Sequence, residues 1–185
     1  PFGRGWSNEK TSVRVVSPTP YPLIAYSGAW SPGTNGMVTG DAMLVQIDSA
    51  PDFAKYRGKL KGKWLLMTHT PRVQPHFNAL ARRWTDAQLD SMAALGPQGE
   101  NQGGRGGRGR GGFANRAGFL NERAAFLMSE GAAGELRPGT GPNDGGSIVA
   151  QSTGQRTTDG NPGLPTIIVA AEQYARIVRT LEKDV

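Results

Sequence analysis

The chain has 185 residues, about the size of one domain, which excludes two full domains. Glycine (27 residues) and proline (13 residues) are abundant, yet the hydrophobic residues (37%) counted together with glycine exclude a wholly disordered chain and allow one long flexible segment. The lack of cysteine excludes disulfides and thiolate chemistry. No apolar run is long enough to span a bilayer. The net charge of +6 favours acidic partners.

The chain begins at Pro1 without a signal-like stretch, and we interpret it as a processed piece of a longer polypeptide. Its N-terminal part is mostly predicted as strands, because short apolar and β-branched runs alternate with Pro and Gly. Thr85 and Gln88 form a capping-box pattern that opens a helix. The predicted strands are residues 12–16, 23–26, 37–47 and 63–68, with a helical turn at 51–56 and a helix at 85–95.

The C-terminal part has the stronger helical patterns. A helix is predicted over residues 115–130, with Gly131 as its C-cap. Strands are predicted at 147–151 and 165–170. The last helix has apolar residues at helical spacing, namely Tyr174, Ile177, Val178 and Leu181. Several strands with a few covering helices predict an α+β domain with mixed sheets or an open barrel.

A glycine- and arginine-rich segment interrupts the chain at about residues 96–118. Its centre, residues 103–112, holds seven Gly and three Arg and nothing apolar, so it is predicted to be a flexible insertion. Arginines on a glycine backbone can contact phosphates and stack on bases. Nucleic-acid binding is therefore the alternative function, although a solvated loop is the interpretation we prefer. The possible interaction loop consists of Arg105, Arg108, Arg110 and Phe113.

His69 and His76 are the only histidines, and six residues separate them. Metal pairs on a helix need a spacing of four, and a zinc site needs a third ligand. No nucleophile elbow, zinc-protease motif or phosphate loop is present. We therefore expect no catalytic, cofactor-binding or metal-binding residue in this chain.

Three segments in order resemble motifs of protease-associated domains. They are GKLKGKWLL at residues 58–66, FLMSEGAAG at 126–134 and LPTIIVA followed by EQY at 164–174. Two further segments, FGRGW at residues 2–6 and WSPGTNG at 30–36, resemble the stretch that precedes this domain in bacterial zinc-dependent aminopeptidases of the leucyl-aminopeptidase and glutamate-carboxypeptidase type.

This resemblance implies a swivelling β/β/α domain at residues 36–185, preceded by a connection from the parent chain at 1–35. It implies a non-catalytic accessory role in a secreted or periplasmic metallopeptidase (a hydrolase), either shaping substrate access or mediating protein contacts. The implied partners are the catalytic peptidase domain of the same polypeptide and a peptide or protein substrate. Zinc is expected in the parent catalytic domain and no cofactor in this chain. No residue of the family's zinc site has a matching position here.

Overall fold

The computed structural model describes residues 3, 5–67, 69, 83–94, 110–139, 151, 153–154 and 163–183, and for residues 110–117 it describes the backbone only. Within these residues the chain forms seven strands and four α-helices. The sheets mix parallel and antiparallel pairs, which confirms the predicted α+β class. Of the strand predicted at 147–151, residues 147–150 lie outside the described part.

A small antiparallel sheet comes first, formed by β1 (Val13–Val15) and β2 (Tyr21–Leu23). The chain then changes partner at Ile24, whose carbonyl accepts from the Ala170 N–H at 2.9 Å and whose N–H donates to the Gln173 side chain at 2.6 Å. The run predicted as one strand at 23–26 is therefore divided between two sheets.

The main sheet has five strands in the order β3-β7-β6-β5-β4. Only β3 is antiparallel to its neighbour, and the other pairs are parallel. Because β3 precedes residue 36, the sheet takes strands from both sides of the predicted domain boundary. The strands are β3 (Ala25–Ser27), β4 (Ala42–Leu44), β5 (Trp64–Leu66), β6 (Gly134–Pro138) and β7 (Thr166–Val169).

One face of this sheet packs against the last helix, because apolar residues recur at helical spacing on that helix. Tyr174, Ile177 and Val178 are buried there, as predicted, and Leu181 packs at the margin. They contact alternate residues of the parallel strands, including Leu66 and Leu136. The helices are α1 (Phe53–Tyr56), α2 (Asp86–Ala94), α3 (Arg110–Ser129) and α4 (Ala171–Glu182).

The opposite face packs against α1 and the C-terminal half of α3. Leu65 and Leu127 are buried at its centre. The Phe53 ring stacks on the Phe126 ring at a centroid distance of 4.6 Å, which ties α1 to α3. The sheet is thus covered on both faces, as parallel strands require.

Both predicted helix caps are confirmed. The Thr85 N–H donates to the Gln88 side chain at 3.0 Å, and the Gln88 N–H donates to the Thr85 hydroxyl at 3.4 Å. At the end of α3, Gly131 has a φ of 72°, the left-handed conformation that glycine adopts at low cost.

The strand predicted over residues 37–47 is shorter in the structure, where only β4 pairs. Its partner β5 begins after a turn in which Gly62 has a φ of 70°, so residues before Asp41 have no strand beside them. A side chain at Gly40 would collide with the Gly62 carbonyl, which explains the glycine at this bend.

Helix α3 begins at Arg110 and so covers residues 110–118 of the predicted flexible insertion. Residues 115–118 also belong to the predicted helix, so the correction concerns residues 110–114, which are helical rather than part of a flexible loop. Glycine weakens a helix by about 1 kcal/mol per residue, but elongation from an established helix adds one hydrogen bond per residue. The packed C-terminal half of α3 supplies that established helix. Residues 96–109 lie outside the described part.

Candidate interaction surfaces

The predicted interaction loop is only partly described. Arg105 and Arg108 lie outside the described residues. Arg110 and Phe113 lie in the first turns of α3, where the backbone alone is described. Nucleic-acid binding through these residues therefore stays a prediction.

The histidines are not brought together by any described contact. His69 is exposed, and His76 lies outside the described residues. Among the residues that the structure describes, no three His, Asp or Glu side chains form a group that could hold a metal ion.

A charged pair lies on the central strand β6. Glu135 is buried, with 8% of its surface exposed. It accepts two hydrogen bonds from the Arg137 guanidinium, at 2.7 Å from Nε and 2.8 Å from Nη2. Residues two apart on a strand share a face, so the local sequence places the two charges together. Sequence reasoning missed this pair, and the spacing Glu-x-Arg was the available signal.

The hydrogen bonds between the two side chains affect the pKa of Arg137. Burial by itself lowers the pKa of Arg137, but the hydrogen bonds and the charge of Glu135 outweigh it, so the pKa is raised above its usual value. In the sheet register Glu135 lies between Leu65 of β5 and Thr166 of β7. Both carboxylate oxygens of Glu135 therefore bind Arg137 in a largely apolar part of the sheet.

Other acidic side chains hold the backbone of loops. Asp52 accepts from Lys55 at 2.6 Å and from the Ser49 hydroxyl at 2.8 Å, which closes the turn before α1. The hydrogen bond from Lys55, followed by that from Ser49, lowers the pKa of Asp52 from 3.8 to about 2. Glu130 accepts from the Gly58 N–H, which ties the end of α3 to the turn before β5.

An aromatic cluster fixes the N-terminal segment beside β3. The Trp6 ring lies 6.3 Å from the Tyr26 ring and 6.0 Å from the Trp30 ring, centroid to centroid. Trp30 has a φ of 60°, which is uncommon for a bulky residue. Hydrogen bonds from the Thr153 and Gly154 N–H groups to the Ala29 carbonyl, at 3.1 and 3.0 Å, hold this bend.

The two outer strands of the main sheet differ in how their free edges are covered. Beside β3, the Ala29 N–H donates to the Gln151 carbonyl at 2.8 Å. Just before β3, Leu23 pairs with Val13 of β1. The chain itself therefore lies along both ends of the β3 edge. No comparable segment among the described residues lies along β4.

Comparisons with known proteins give one structural likeness. Neither a protein-family model nor a curated protein matches the chain. A crystal structure of a Peptidase M28 precursor from Shewanella amazonensis SB2B is similar, with a TM-score of 0.46 and 16% sequence identity. The match covers 94% of this chain and 31% of that chain, so this chain spans about a third of that protein's length.

None of the helices in the part of the chain that the structure describes is both long enough and apolar enough to cross a bilayer.

Proposed function

We propose that this chain is a non-catalytic, protease-associated accessory domain of a secreted or periplasmic zinc metallopeptidase. In that role it contacts the catalytic domain of the same polypeptide and shapes the access of peptide or protein substrates. The zinc and the hydrolytic residues belong to the catalytic domain in this proposal.

One observation carries the proposal. The three segments that resemble protease-associated motifs, at residues 58–66, 126–134 and 164–174, lead into or contain β5, β6 and β7. These strands are adjacent and parallel in the main sheet. Segments chosen from sequence alone therefore form one structural unit, which is what a shared domain motif requires.

The contacts between these segments support the same conclusion. The Gly62 N–H donates to the Gly131 carbonyl at 2.8 Å, and the Ala133 N–H donates to the Lys63 carbonyl at 2.9 Å. The glycine- and lysine-rich turn and the end of α3 are thus joined by their backbones. These motif residues thus hold the start of β5 beside the start of β6 through their backbone groups.

The roles of three of the described carboxylates also fit this reading. Asp52 closes a turn, Glu130 holds a backbone N–H, and Glu135 neutralises Arg137. A general acid or base must be available to a substrate proton. Each of these three groups is already engaged with a neighbour in the fold.

The test is an activity measurement on the purified chain and on the full-length polypeptide that contains it. With added zinc, the full-length polypeptide should hydrolyse aminoacyl nitroanilides and the 185-residue chain should not. Removing this domain from the full-length polypeptide should change KM for long peptides more than KM for a dipeptide, because only a long substrate reaches an accessory domain.

Two results would overturn the proposal. One is hydrolysis by the purified chain that a chelator abolishes and that is lost in the variant His69→Ala. His69 is chosen because it is the histidine that the structure describes. The other is salt-sensitive binding of single-stranded RNA that disappears when Arg105, Arg108 and Arg110 are changed to Ala, which would favour the nucleic-acid alternative.

A further inference from the structure

Asn35 and Gly36 lie in an exposed bend of the chain between β3 and β4. Asn35 has a φ of 50°, and Gly36 has a φ of 115°. Asparagine visits the left-handed region more readily than most residues with a side chain, and glycine adopts positive φ values without steric hindrance. The backbone of this bend therefore favours the dipeptide that the sequence places there.

This bend is the one place in the sequence where glycine follows asparagine. The chain has eight asparagines, and each of the other seven is followed by a residue with a side chain. A side chain on the following residue obstructs the approach of that residue's nitrogen to the asparagine amide. At Gly36 even an added Cβ would meet nothing within 4 Å, so the space around this nitrogen is open.

The groups that would react are not engaged within the described part of the chain. The Thr34 hydroxyl donates to the Gly36 carbonyl at 2.6 Å, which holds the bend across Asn35. No described residue accepts a hydrogen bond from the Gly36 N–H, and none is hydrogen-bonded to the side-chain amide of Asn35. The nitrogen and the amide carbon next to it can therefore meet without breaking a hydrogen bond of the fold.

We propose that Asn35 is a deamidation site, at which the side chain is converted to aspartate and isoaspartate. The Gly36 nitrogen gives up its proton and forms a bond to Cγ of Asn35. The bond from Cγ to Nδ2 breaks, and Nδ2 takes up a proton and leaves as ammonia. Water then adds to either carbonyl of the cyclic imide and opens the ring. The overall change consumes one water, releases one ammonia and needs no oxidant or reductant.

This modification changes the bend in two ways. Either product carries a carboxylate, which lowers the formal net charge of +6 by one. Isoaspartate also adds a methylene group to the main chain before Gly36, so the hydrogen bond from the Thr34 hydroxyl to the Gly36 carbonyl no longer spans an ordinary residue. The inference does not depend on the parent protein being a peptidase.

Incubation of the purified chain in mildly alkaline buffer, followed by peptide mapping with mass spectrometry, tests the proposal. The peptide that contains Asn35 should yield two products of equal mass that separate on chromatography. A methyltransferase specific for isoaspartate should label one of them and not the other. In ¹⁸O-enriched water both products should take up the heavy isotope, and conversion should accelerate as the pH is raised.

Asn121 is an internal control in the same digest. It is exposed like Asn35, but it lies in α3 and precedes Glu122. Inside an α-helix the N–H of a residue donates to the carbonyl four residues earlier, so the nitrogen that follows Asn121 is engaged. Asn121 should therefore stay intact over the time in which half of Asn35 is converted.

Two variants separate the proposed route from other reactions. Gly36→Ala places a methyl group beside the attacking nitrogen and should slow the conversion severalfold. Asn35→Gln keeps a side-chain amide but would require a larger ring, and it should not convert over the same period. Thermal unfolding checks that both variants are folded.

Three results would overturn the proposal. One is an intact Asn35 in the folded chain under conditions in which a synthetic peptide of residues 33–38 is converted, because the fold would then prevent the attack. Another is equal conversion of Asn35 and Asn121. The third is aspartate without isoaspartate, because direct hydrolysis of the side-chain amide would then bypass the attack by Gly36.

Discussion

The five-stranded sheet has a closed side, formed by β3 and β7, and an open side, formed by β4. On the closed side all four residues of β7 are buried, and the β3 edge is flanked by β1 and by residues 151 and 153–154. All three residues of β3 and all three residues of β4 are half-buried. The comparison teaches that, among the described residues, other segments of the chain flank both ends of the β3 edge, whereas only the Tyr56 hydroxyl reaches the end of the β4 edge.

The closed side should tolerate a charge least. Ile168 lies in β7 between β3 and β6 and has no exposed surface. Ile168→Asp would bury an unpaired carboxylate, and we expect a loss of several kcal/mol, enough to unfold a domain of this size. Thermal unfolding followed by circular dichroism measures the effect.

The matched control lies before the open side. Met37 is 90% exposed, so Met37→Asp should change stability by no more than about 0.5 kcal/mol. Equal losses in the two variants would contradict the distinction between the two sides.

A smaller effect is expected at the centre of the sheet, between the two sides. Glu135→Gln leaves the Arg137 guanidinium without its carboxylate. Because 37% of the Arg137 side chain is exposed and can be hydrated, we expect a loss of about 1–3 kcal/mol rather than that of a fully buried charge.

The double variant Glu135→Leu with Arg137→Leu removes both charges together. It should recover much of the stability lost in Glu135→Gln, because no unpaired charge remains. Chemical denaturation of both variants measures the coupling. A double variant less stable than Glu135→Gln would show that the pair stabilises the sheet more than apolar packing could.

The smallest effect is expected at Asp52, in the turn before α1. Helix α1 ends at Tyr56, whose hydroxyl lies at the end of the β4 edge. Asp52 has a folded-state pKa of about 2, below the ordinary value of 3.8. Its contribution to stability is therefore complete above the ordinary value and is lost as the pH falls through about 2. Asp52→Asn should remove this component of the pH dependence.

Stability measured between pH 4 and pH 2 tests this expectation, and the Asp52→Asn curve should be flatter than that of the parent. Parallel curves would mean that Asp52 has the same pKa in the folded and unfolded chains. Lys55→Met is the matched variant, because it removes the Lys55 hydrogen bond, the largest cause of the lowered pKa of Asp52, while keeping the carboxylate.

The parts of the fold that follow local rules could be predicted from the sequence. The Thr85–Gln88 capping box, the glycine cap at Gly131 and the apolar face of α4 depend on residues within a few positions of each other. The change of partner at Ile24 could not be predicted, because it depends on Ala170 and Gln173, which are distant in sequence.

The surfaces were harder to predict than the elements. The open side is defined by which backbone groups of β4 face β5, and that follows from register rather than from residue type. The apolar run at 37–47 correctly indicated a strand near β4 but overestimated its length, because the partner strand ends at the Gly62 turn. The predicted loop arginines Arg105 and Arg108 lie outside the described residues.

Amide hydrogen exchange along β4 tests the central claim, an open edge, most directly. In the free chain Met43 and Val45 should exchange slowly, because they donate to β5, whereas Ala42 and Leu44 should exchange rapidly. On the closed side the Ala29 amide, which donates to Gln151, should be protected. If Ala42 and Leu44 prove as protected as Met43, the β4 edge is covered in solution and the account of an open side is wrong.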